Sequence, residues 1–212
     1  MSDIIVVTNK LGELGTNCYT VVNTKNRETV IIDPAGGAPF LINMVRNQNY
    51  NLKAILLTHG HFDHTAAVPE LKKAFPDVPV YIGENDTDIL ETPAANLSAA
   101  FSMRPISITA DKTLRDGELL EFDGFSFKII EVPGHTKGGI CYYLEAEKML
   151  FDGDTLFCRS IGRSDFPTGD GELLLTSIKE KLFVLPDDTV VYPGHESRTT
   201  IGAEKKGNFF LM

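Results

Sequence analysis

The sequence has no long hydrophobic run and no extended basic segment. Its first apolar run, Ile4–Val7, is four residues long, whereas a secretory signal needs roughly 7–15 apolar residues and a membrane helix about 20. We therefore expect a cytoplasmic protein without a membrane segment. The net charge is −9, and the longest basic run is the pair Lys205-Lys206. Because nucleic-acid phosphates are bound by clustered Lys and Arg, we expect no nucleic-acid partner.

Cysteine is scarce, and the chain has no internal repeat or low-complexity tract. Cys18, Cys141 and Cys158 are odd in number and not closely spaced, which disfavours a disulfide framework and fits reduced thiols. None stands in a histidine cluster, so we do not expect them to bind metal. The 212 residues are expected to form one domain spanning 1–212.

Histidine is also rare, but its placement is informative. All five histidines lie in three short segments, Thr58–His64, Pro133–Thr136 and Tyr192–His195. A domain of this size would ordinarily place some histidines on its surface or in polar core networks. Here none is left over, which indicates that they serve one site.

Each histidine segment follows a predicted β-strand. The buried run Ala54–Leu57 leads into the first segment, Phe125–Val132 into His135, and Val190–Tyr192 into His195. Asp152-Gly153-Asp154 likewise follows a predicted strand. Rigid strands that end in flexible turns are suited to directing ligands toward one site.

The remaining pattern predicts alternating strands and helices. A hairpin is indicated by the Asp123-Gly124 turn, and residues 84–110 are expected to be helical turns and loops. The further predicted strands are Ile4–Thr8, Cys18–Asn23, Thr29–Asp33, Val78–Ile82, Glu118–Phe122, Ile140–Leu144 and Met149–Phe151. The predicted helices are Phe40–Asn49, Ala66–Phe75 and Glu172–Leu185.

The first histidine segment has the composition of a metal site. His59 and His61 can converge on one ion if the loop bends, and Asp63 and His64 add a carboxylate and a third imidazole. The alternative is a polar loop in which Asp63 caps a helix. Neutral imidazole and carboxylate suit Zn²⁺, Fe²⁺ and Mn²⁺.

The later residues extend the site to a second ion. Alone, His135 or His195 would more often be a hydrogen-bonded core histidine, and Asp154 a turn residue. Together with the first segment they exceed the needs of one tetrahedral ion. Two ions bridged by a carboxylate would use all of them, and two ions that share a water produce hydroxide at neutral pH.

These residues resemble the metallo-β-lactamase superfamily, whose HxHxDH signature stands here at His59–His64. Within it, the chain is similar to the glyoxalase II (hydroxyacylglutathione hydrolase) group, especially its short bacterial members. That closer resemblance lies in Pro133–Gly139, Gly162–Pro167 and Tyr192–His195. It implies an α+β fold, a four-layer αββα sandwich of mixed sheets with the metal site at one edge.

The resemblance also implies two divalent metal ions, with Zn²⁺ expected and Fe or Mn as alternatives. Asp154 would bridge the ions, and Asp33 matches an early Asp that supports a ligand. The alternative for Asp33 is a turn former before Pro34. The implied ligands are His59, His61 and His135 for one ion and Asp63, His64 and His195 for the other.

The implied reaction is hydrolysis of a small-molecule thioester, such as S-lactoylglutathione, by a metal-bridging hydroxide. Asp63 would be catalytic, steadying the hydroxide or accepting its proton. Arg163 and Lys137 would contact the thiol carrier; the alternative for Arg163 is a structural role in its turn. Larger glyoxalase II enzymes carry a Tyr where Ser197 stands, so that glutathione contact is not carried over.

Other activities in the superfamily remain open. A mononuclear iron persulfide dioxygenase would use His59, His135 and Asp154 as a facial triad, and hydrolysis of another ester or a lactone is a further alternative. Zinc β-lactamases commonly use a second-site Cys that no matching motif supplies here. A metal-binding domain without activity is disfavoured by the complete set of ligands.

Overall fold

Two six-stranded sheets form the frame of the protein. The structure is a computed structural model that describes residues 2–212. The first sheet contains β1 (Ile4–Leu11), β2 (Thr16–Asn23), β3 (Glu28–Ile32), β4 (Asn51–Leu56), β5 (Val80–Gly83) and β6 (Lys112–Leu114). The second contains β7 (Leu119–Phe122), β8 (Phe125–Glu131), β9 (Ile140–Leu144), β10 (Met149–Gly153), β13 (Val190–Pro193) and β14 (Thr199–Thr200). A separate two-stranded ribbon pairs β11 (Leu156–Phe157) with β12 (Ser160–Ile161).

Both sheets mix parallel and antiparallel pairs. The first has the order β1-β2-β3-β4-β5-β6, antiparallel up to β3 and parallel beyond it. The second has the order β14-β13-β10-β9-β8-β7, with β10 and β13 parallel. The parallel pairs place strand ends of the same sense side by side, so the loops that follow them meet at one edge.

Helices connect the strands on the outer faces. They are α1 (Ala38–Asn47), α2 (Phe62–Thr65), α3 (Val68–Ala74), α4 (Thr87–Glu91), α5 (Ser98–Phe101), α6 (Gly171–Ser177) and α7 (Ile201–Gly207). The π-helical turn Ile178–Leu182 continues α6. Short 3₁₀ turns lie at Glu84–Asp86, Glu145–Glu147 and Phe209–Leu211.

Three apolar layers hold the sandwich together. Tyr19, Phe127 and Tyr142 belong to the layer between the two sheets. Leu41 of α1 is buried against the first sheet and Leu174 of α6 against the second. Helices therefore cover both outer faces, and the expected αββα fold is confirmed.

The predicted helix Glu172–Leu185 is confirmed in its first part and wrong at its end. Asp170 caps it by accepting a hydrogen bond from the Leu173 amide (3.0 Å). The regular helix stops at Ser177, and a π-helical turn follows it. This wider turn is closed by the Phe183 amide, which donates to the Ile178 carbonyl (3.0 Å).

Other boundaries differ for local reasons. The first histidine segment was expected on a loop, but its second half forms the helical turn α2. The strand predicted from Val78 begins at Val80, after Pro79, which cannot donate to a sheet. The short strands β6, β11, β12 and β14 were not predicted, because two or three residues carry little periodicity.

The helices among the described residues are too short, and not apolar enough, to cross a membrane.

The hydroxyl of Tyr142 links the sheets beside the first histidine segment. It is fully buried and donates to the Leu57 carbonyl (2.9 Å). We expect Tyr142→Phe to lower the free energy of unfolding by about 1–3 kcal/mol, because a buried acceptor loses its donor. Urea unfolding followed by circular dichroism measures this change. Tyr50→Phe, whose hydroxyl makes no hydrogen bond among the described residues, is the control; equal losses in both variants would contradict the argument.

Candidate metal centre

The histidine segments and Asp154 meet at one edge of the sandwich. His59 and His61 lie on the loop after β4, and Asp63 and His64 lie on α2. The remaining three expected ligands each follow a strand of the second sheet: His135 after β8, Asp154 after β10 and His195 after β13. The structure thus brings together all seven ligands expected from the sequence.

The first group consists of three imidazoles. His61 Nδ1 lies 3.0 Å from His135 Nε2, which lies 3.3 Å from His59 Nε2. These nitrogens could bind one cation together. His59, His61 and His135 form a group whose ligand atoms all lie within 4.8 Å of one another. Three imidazoles that converge in this way match a zinc-type donor set.

The second group combines imidazoles with a carboxylate. Asp63 Oδ2 lies 3.2 Å from His195 Nε2 and 3.6 Å from His64 Nε2. These three residues also satisfy the geometry of a metal-binding group. The mixture of nitrogen and oxygen donors suits Zn²⁺, Fe²⁺ or Mn²⁺.

Asp154 stands between the two groups. Its Oδ1 lies 3.3 Å from His64 Nε2, and its Oδ2 lies 3.7 Å from His135 Nε2. Asp154 Oδ1 and His64 Nε2 are both buried, yet neither has a hydrogen-bond partner among the described residues. Buried polar atoms left unsatisfied are costly, so these residues fit a bound cation better than they fit one another.

The electrostatics favour the protonation states that ligands need. Burial, reinforced by His135, lowers the pKa of His61 to about 3. Burial and the neighbouring imidazoles likewise hold the pKa of His59 well below its usual value. Burial opposes ionisation of Asp154, but His64, His135 and His195 together outweigh burial and lower the pKa of that carboxyl. His59 and His61 are therefore neutral and Asp154 is ionised.

The pKa of His64 is shifted in the opposite direction. Burial disfavours its charged form, but Asp154, Asp63 and Asp33 outweigh burial and raise its pKa well above the usual value. His195 shows a smaller rise, in which Asp63 and Asp154 outweigh burial. The carboxylates thus attract positive charge to the second group, which a metal ion would also supply.

Asp33 orients His64 of α2. Its Oδ2 accepts from His64 Nδ1 (2.9 Å) and from the Thr58 hydroxyl (2.7 Å), and its Oδ1 accepts from the Thr58 amide (2.8 Å). Since a carboxylate only accepts, His64 donates from Nδ1 and turns Nε2 toward the cluster. Asp33 lies where a ligand-supporting residue was expected.

Asp86 was missed by the sequence analysis. It is fully buried, and its carboxylate accepts from the amides of Gly60 (2.7 Å) and Gly138 (3.0 Å). It therefore ties the His59–His61 loop to the loop of His135. No motif marks it, because it stands in a short 3₁₀ turn within residues 84–110.

The β1–β2 hairpin supports the other side of the site. The Thr16 hydroxyl donates to Asp63 Oδ2 (3.1 Å). The Asn17 side-chain amide donates to the carbonyls of Pro193 (2.9 Å) and Glu196 (3.1 Å), so the loop that carries His195 is bound on both sides of the histidine. These residues were also missed, because only the tertiary fold places them beside a strand far along the chain.

A cavity of about 530 Å³ opens directly on the cluster. His61, Asp63 and His135 of the cluster are among the residues that line it. Its walls are largely apolar and include Leu14, Phe62, Leu97, Phe101, Phe157, Ile161 and Phe166. An apolar cavity with polar groups converging at its base is typical of a small-molecule site.

The two expected substrate contacts occupy different places. Arg163 lines the cavity, where its guanidinium pairs with Asp165 (2.7 Å) and lies 3.8 Å from the Phe166 ring centre. Its backbone carbonyl accepts from His135 Nδ1 (2.6 Å). Lys137 instead pairs with Asp88 (2.6 Å) and is not among the residues that line the cavity.

A stacked pair of mixed sheets with a histidine and aspartate cluster at its edge defines a class of metal-dependent hydrolases. Residues 11–195 match the family model of the metallo-beta-lactamase superfamily. The chain belongs to this superfamily.

Known relatives are similar over nearly the whole chain. Hydroxyacylglutathione hydrolase GloC of Haemophilus influenzae is 41% identical over 92% of this chain and 92% of its own. The crystal structure of BLEG-1 B3 metallo-beta-lactamase superposes with a TM-score of 0.92, is 41% identical and covers 98% of this chain and 99% of that one. TTHA1623, crystallised in a di-iron-bound form, has a TM-score of 0.84 and 35% identity, covering 98% and 100%.

We expect Asp86→Asn to weaken metal binding about tenfold to a hundredfold, because an amide can satisfy only one of the two backbone donors that hold the ligand loops. Competition with a chromophoric chelator measures the affinity. Asp88→Asn is the matched control: it lies two residues away, is exposed and pairs only with Lys137. Unchanged affinity in Asp86→Asn, or an equal loss in both variants, would contradict the positioning role.

Proposed function

We propose that the protein is a binuclear metal-dependent hydrolase that cleaves small-molecule thioesters of the hydroxyacylglutathione type. The observation that carries this proposal is the pair of ligand groups joined by Asp154 at the base of a largely apolar cavity. The similarity to hydroxyacylglutathione hydrolase GloC over most of both chains supports the choice of substrate.

One ion would be held by the imidazole group and the other by the mixed group, with Asp154 between them. Histidine nitrogen and carboxylate oxygen make Zn²⁺ the expected metal. Iron is a real alternative, because a structural relative was crystallised with two irons. Bound metal would activate a shared water and polarise the substrate carbonyl.

Asp63 is the residue of this chain best placed to handle the proton of the attacking water. Its pKa is lowered, because His64 and a hydrogen bond from His195 outweigh burial, so it is an ionised acceptor. Thr16 and His195 both contact its Oδ2, at 3.1 and 3.2 Å, and fix its orientation. We assign Asp63 the role of holding the water proton.

The leaving group explains why no further acid is needed. A thiol has a pKa of about 8.5, so it can depart as a thiolate. All five histidines lie in the cluster, and none is left to protonate a poorer leaving group. The site therefore suits a thioester better than an amide.

Two other reactions are supported by particular observations. His59, His135 and Asp154 approach one another within 3.3 and 3.7 Å, as the facial triad of a one-iron persulfide dioxygenase would. The BLEG-1 structure carries the name of a β-lactamase, so β-lactams, lactones and other esters belong among the substrates to be tested.

The decisive experiment combines metal analysis with assays. We expect about two metal ions per chain when the protein is purified without chelators, together with thiol release from S-lactoylglutathione. One iron per chain, oxygen uptake with glutathione persulfide and no thiol release would instead identify the dioxygenase. Faster turnover of a β-lactam or lactone than of any thioester would also reject the proposal.

His61→Ala should lower thioester hydrolysis by at least about 100-fold, because losing a direct ligand costs more than losing its supporting partners. Metal content, measured by mass spectrometry, should fall in parallel. Glu70→Ala, an exposed substitution on the next helix, controls for general effects. Full activity in His61→Ala would remove it from the metal site.

Arg163→Ala should raise KM by roughly twofold to fivefold with little change in kcat, because a largely exposed cation contributes modestly to binding. Arg115→Ala is a close match: that arginine also pairs with a carboxylate, Glu84 (2.7 Å), but lies away from the cavity. If both variants keep the wild-type KM, Arg163 does not contact the carrier.

A further inference from the structure

A second groove runs along β1, beside the loop that carries His195. Its volume is about 550 Å³. The buried side chains of Asn17 and Tyr19 line it, as do the exposed Lys10 of β1 and Arg198 of the loop. Nothing in the proposed hydrolysis uses this groove.

Two residues that line the groove, Glu196 and Asn17, are neighbours of residues at the metal cluster. Glu196 lines the groove and also the cavity over the cluster, and it directly follows His195. On the other side Asn17 follows Thr16, which donates to Asp63. The cavity over the cluster and the groove are therefore neighbours that share Glu196 as a lining residue.

The groove carries a net positive charge on an acidic protein. Its lining residues include two cations, Lys10 and Arg198, against the single carboxylate of Glu196. Neither cation forms an ion pair with a carboxylate of the described residues, although exposed lysines elsewhere do, such as Lys148 with Asp188 (2.6 Å). The chain as a whole has a net charge of −9, so this charge is local.

The groove is also preformed. The Arg198 guanidinium lies 5.5 Å from the centre of the Tyr192 ring, a cation–π contact. The Tyr19 hydroxyl and the Asn17 amide both donate to the Pro193 carbonyl (2.6 and 2.9 Å). Held in this way, the loop needs little ordering when a ligand binds.

We propose that this groove binds the anionic end of the thiol carrier, a carboxylate of a peptide thiol or a phosphate of a nucleotide thiol, while the thioester group and the adjoining part of the carrier lie in the cavity that Arg163 lines. The proposal rests on the proposed thioester hydrolysis and names its carrier site. The distances agree: Arg198 lies three positions after His195, a span of at most about 10 Å, and a tripeptide thiol extends about as far.

The first test is direct binding of uncleavable carriers. Isothermal titration calorimetry would compare S-methylglutathione with S-methyl-coenzyme A on the metal-loaded protein. For the carrier that uses the groove, the Kd of the Lys10→Ala/Arg198→Ala double variant should be about tenfold higher than that of the wild-type protein. The control is Lys73→Ala/Lys179→Ala, which removes the same charge from exposed positions elsewhere.

The second test is kinetic and separates carrier binding from chemistry. Lactoyl thioesters of glutathione, of coenzyme A and of uncharged N-acetylcysteamine would be compared. In the double variant, KM for the anionic thioester should rise about tenfold relative to that for the uncharged one. The carrier that shows the rise identifies the anion as carboxylate or phosphate.

The outcomes distinguish this proposal from the function on which it rests. If thioesters are cleaved but Kd and the KM ratio match those of the control variant, the groove assignment is wrong and the hydrolase stands. If no thioester is cleaved but an S-methyl carrier binds in a way that depends on Lys10 and Arg198, the groove stands and the hydrolase fails. If neither carrier binds the wild-type protein, the groove assignment is overturned.

Discussion

The structure depends on the convergence of buried imidazoles and carboxylates where strands of both sheets end. Polar groups without partners are expensive inside a protein, yet His64 Nε2 and Asp154 Oδ1 face each other at 3.3 Å without a hydrogen bond. A bound cation would remove that cost. It would also lie between histidines whose pKa is lowered, His59 and His61, and histidines whose pKa is raised, His64 and His195. The site is therefore arranged around a charge that the protein itself does not supply.

Holding such a cluster requires support from outside it. Asp33 acts on His64 from the end of β3, Asp86 joins two ligand loops, and the Arg163 carbonyl orients His135. Each contact crosses between segments that are distant in sequence. The rigid sheets determine where the expected ligands stand, and the hydrogen bonds to Asp33 and to the Arg163 carbonyl determine which nitrogen atom His64 and His135 present.

The loop that carries His195 divides two surfaces of different character. On one side lies the largely apolar cavity over the cluster, and on the other the groove with Lys10 and Arg198. A carrier thioester is divided in a similar way, because the acyl group and the anionic end of the carrier lie on opposite sides of the sulfur. The β1–β2 hairpin contributes to both surfaces, because Leu14 lines the cavity and Lys10 the groove.

The sequence alone identified all seven residues that meet at the cluster, because ligand-type residues after apolar runs are local patterns. Its resemblance to the metallo-β-lactamase superfamily implied the class of fold. It also placed Asp33 near the site. Only the tertiary structure revealed Asp86 and Thr16 beside the cluster and directed Lys137 to Asp88, away from the cavity. The reason is physical: these contacts form between segments that become neighbours only when the two sheets stack and their strand ends meet, and no spacing along the chain records that event.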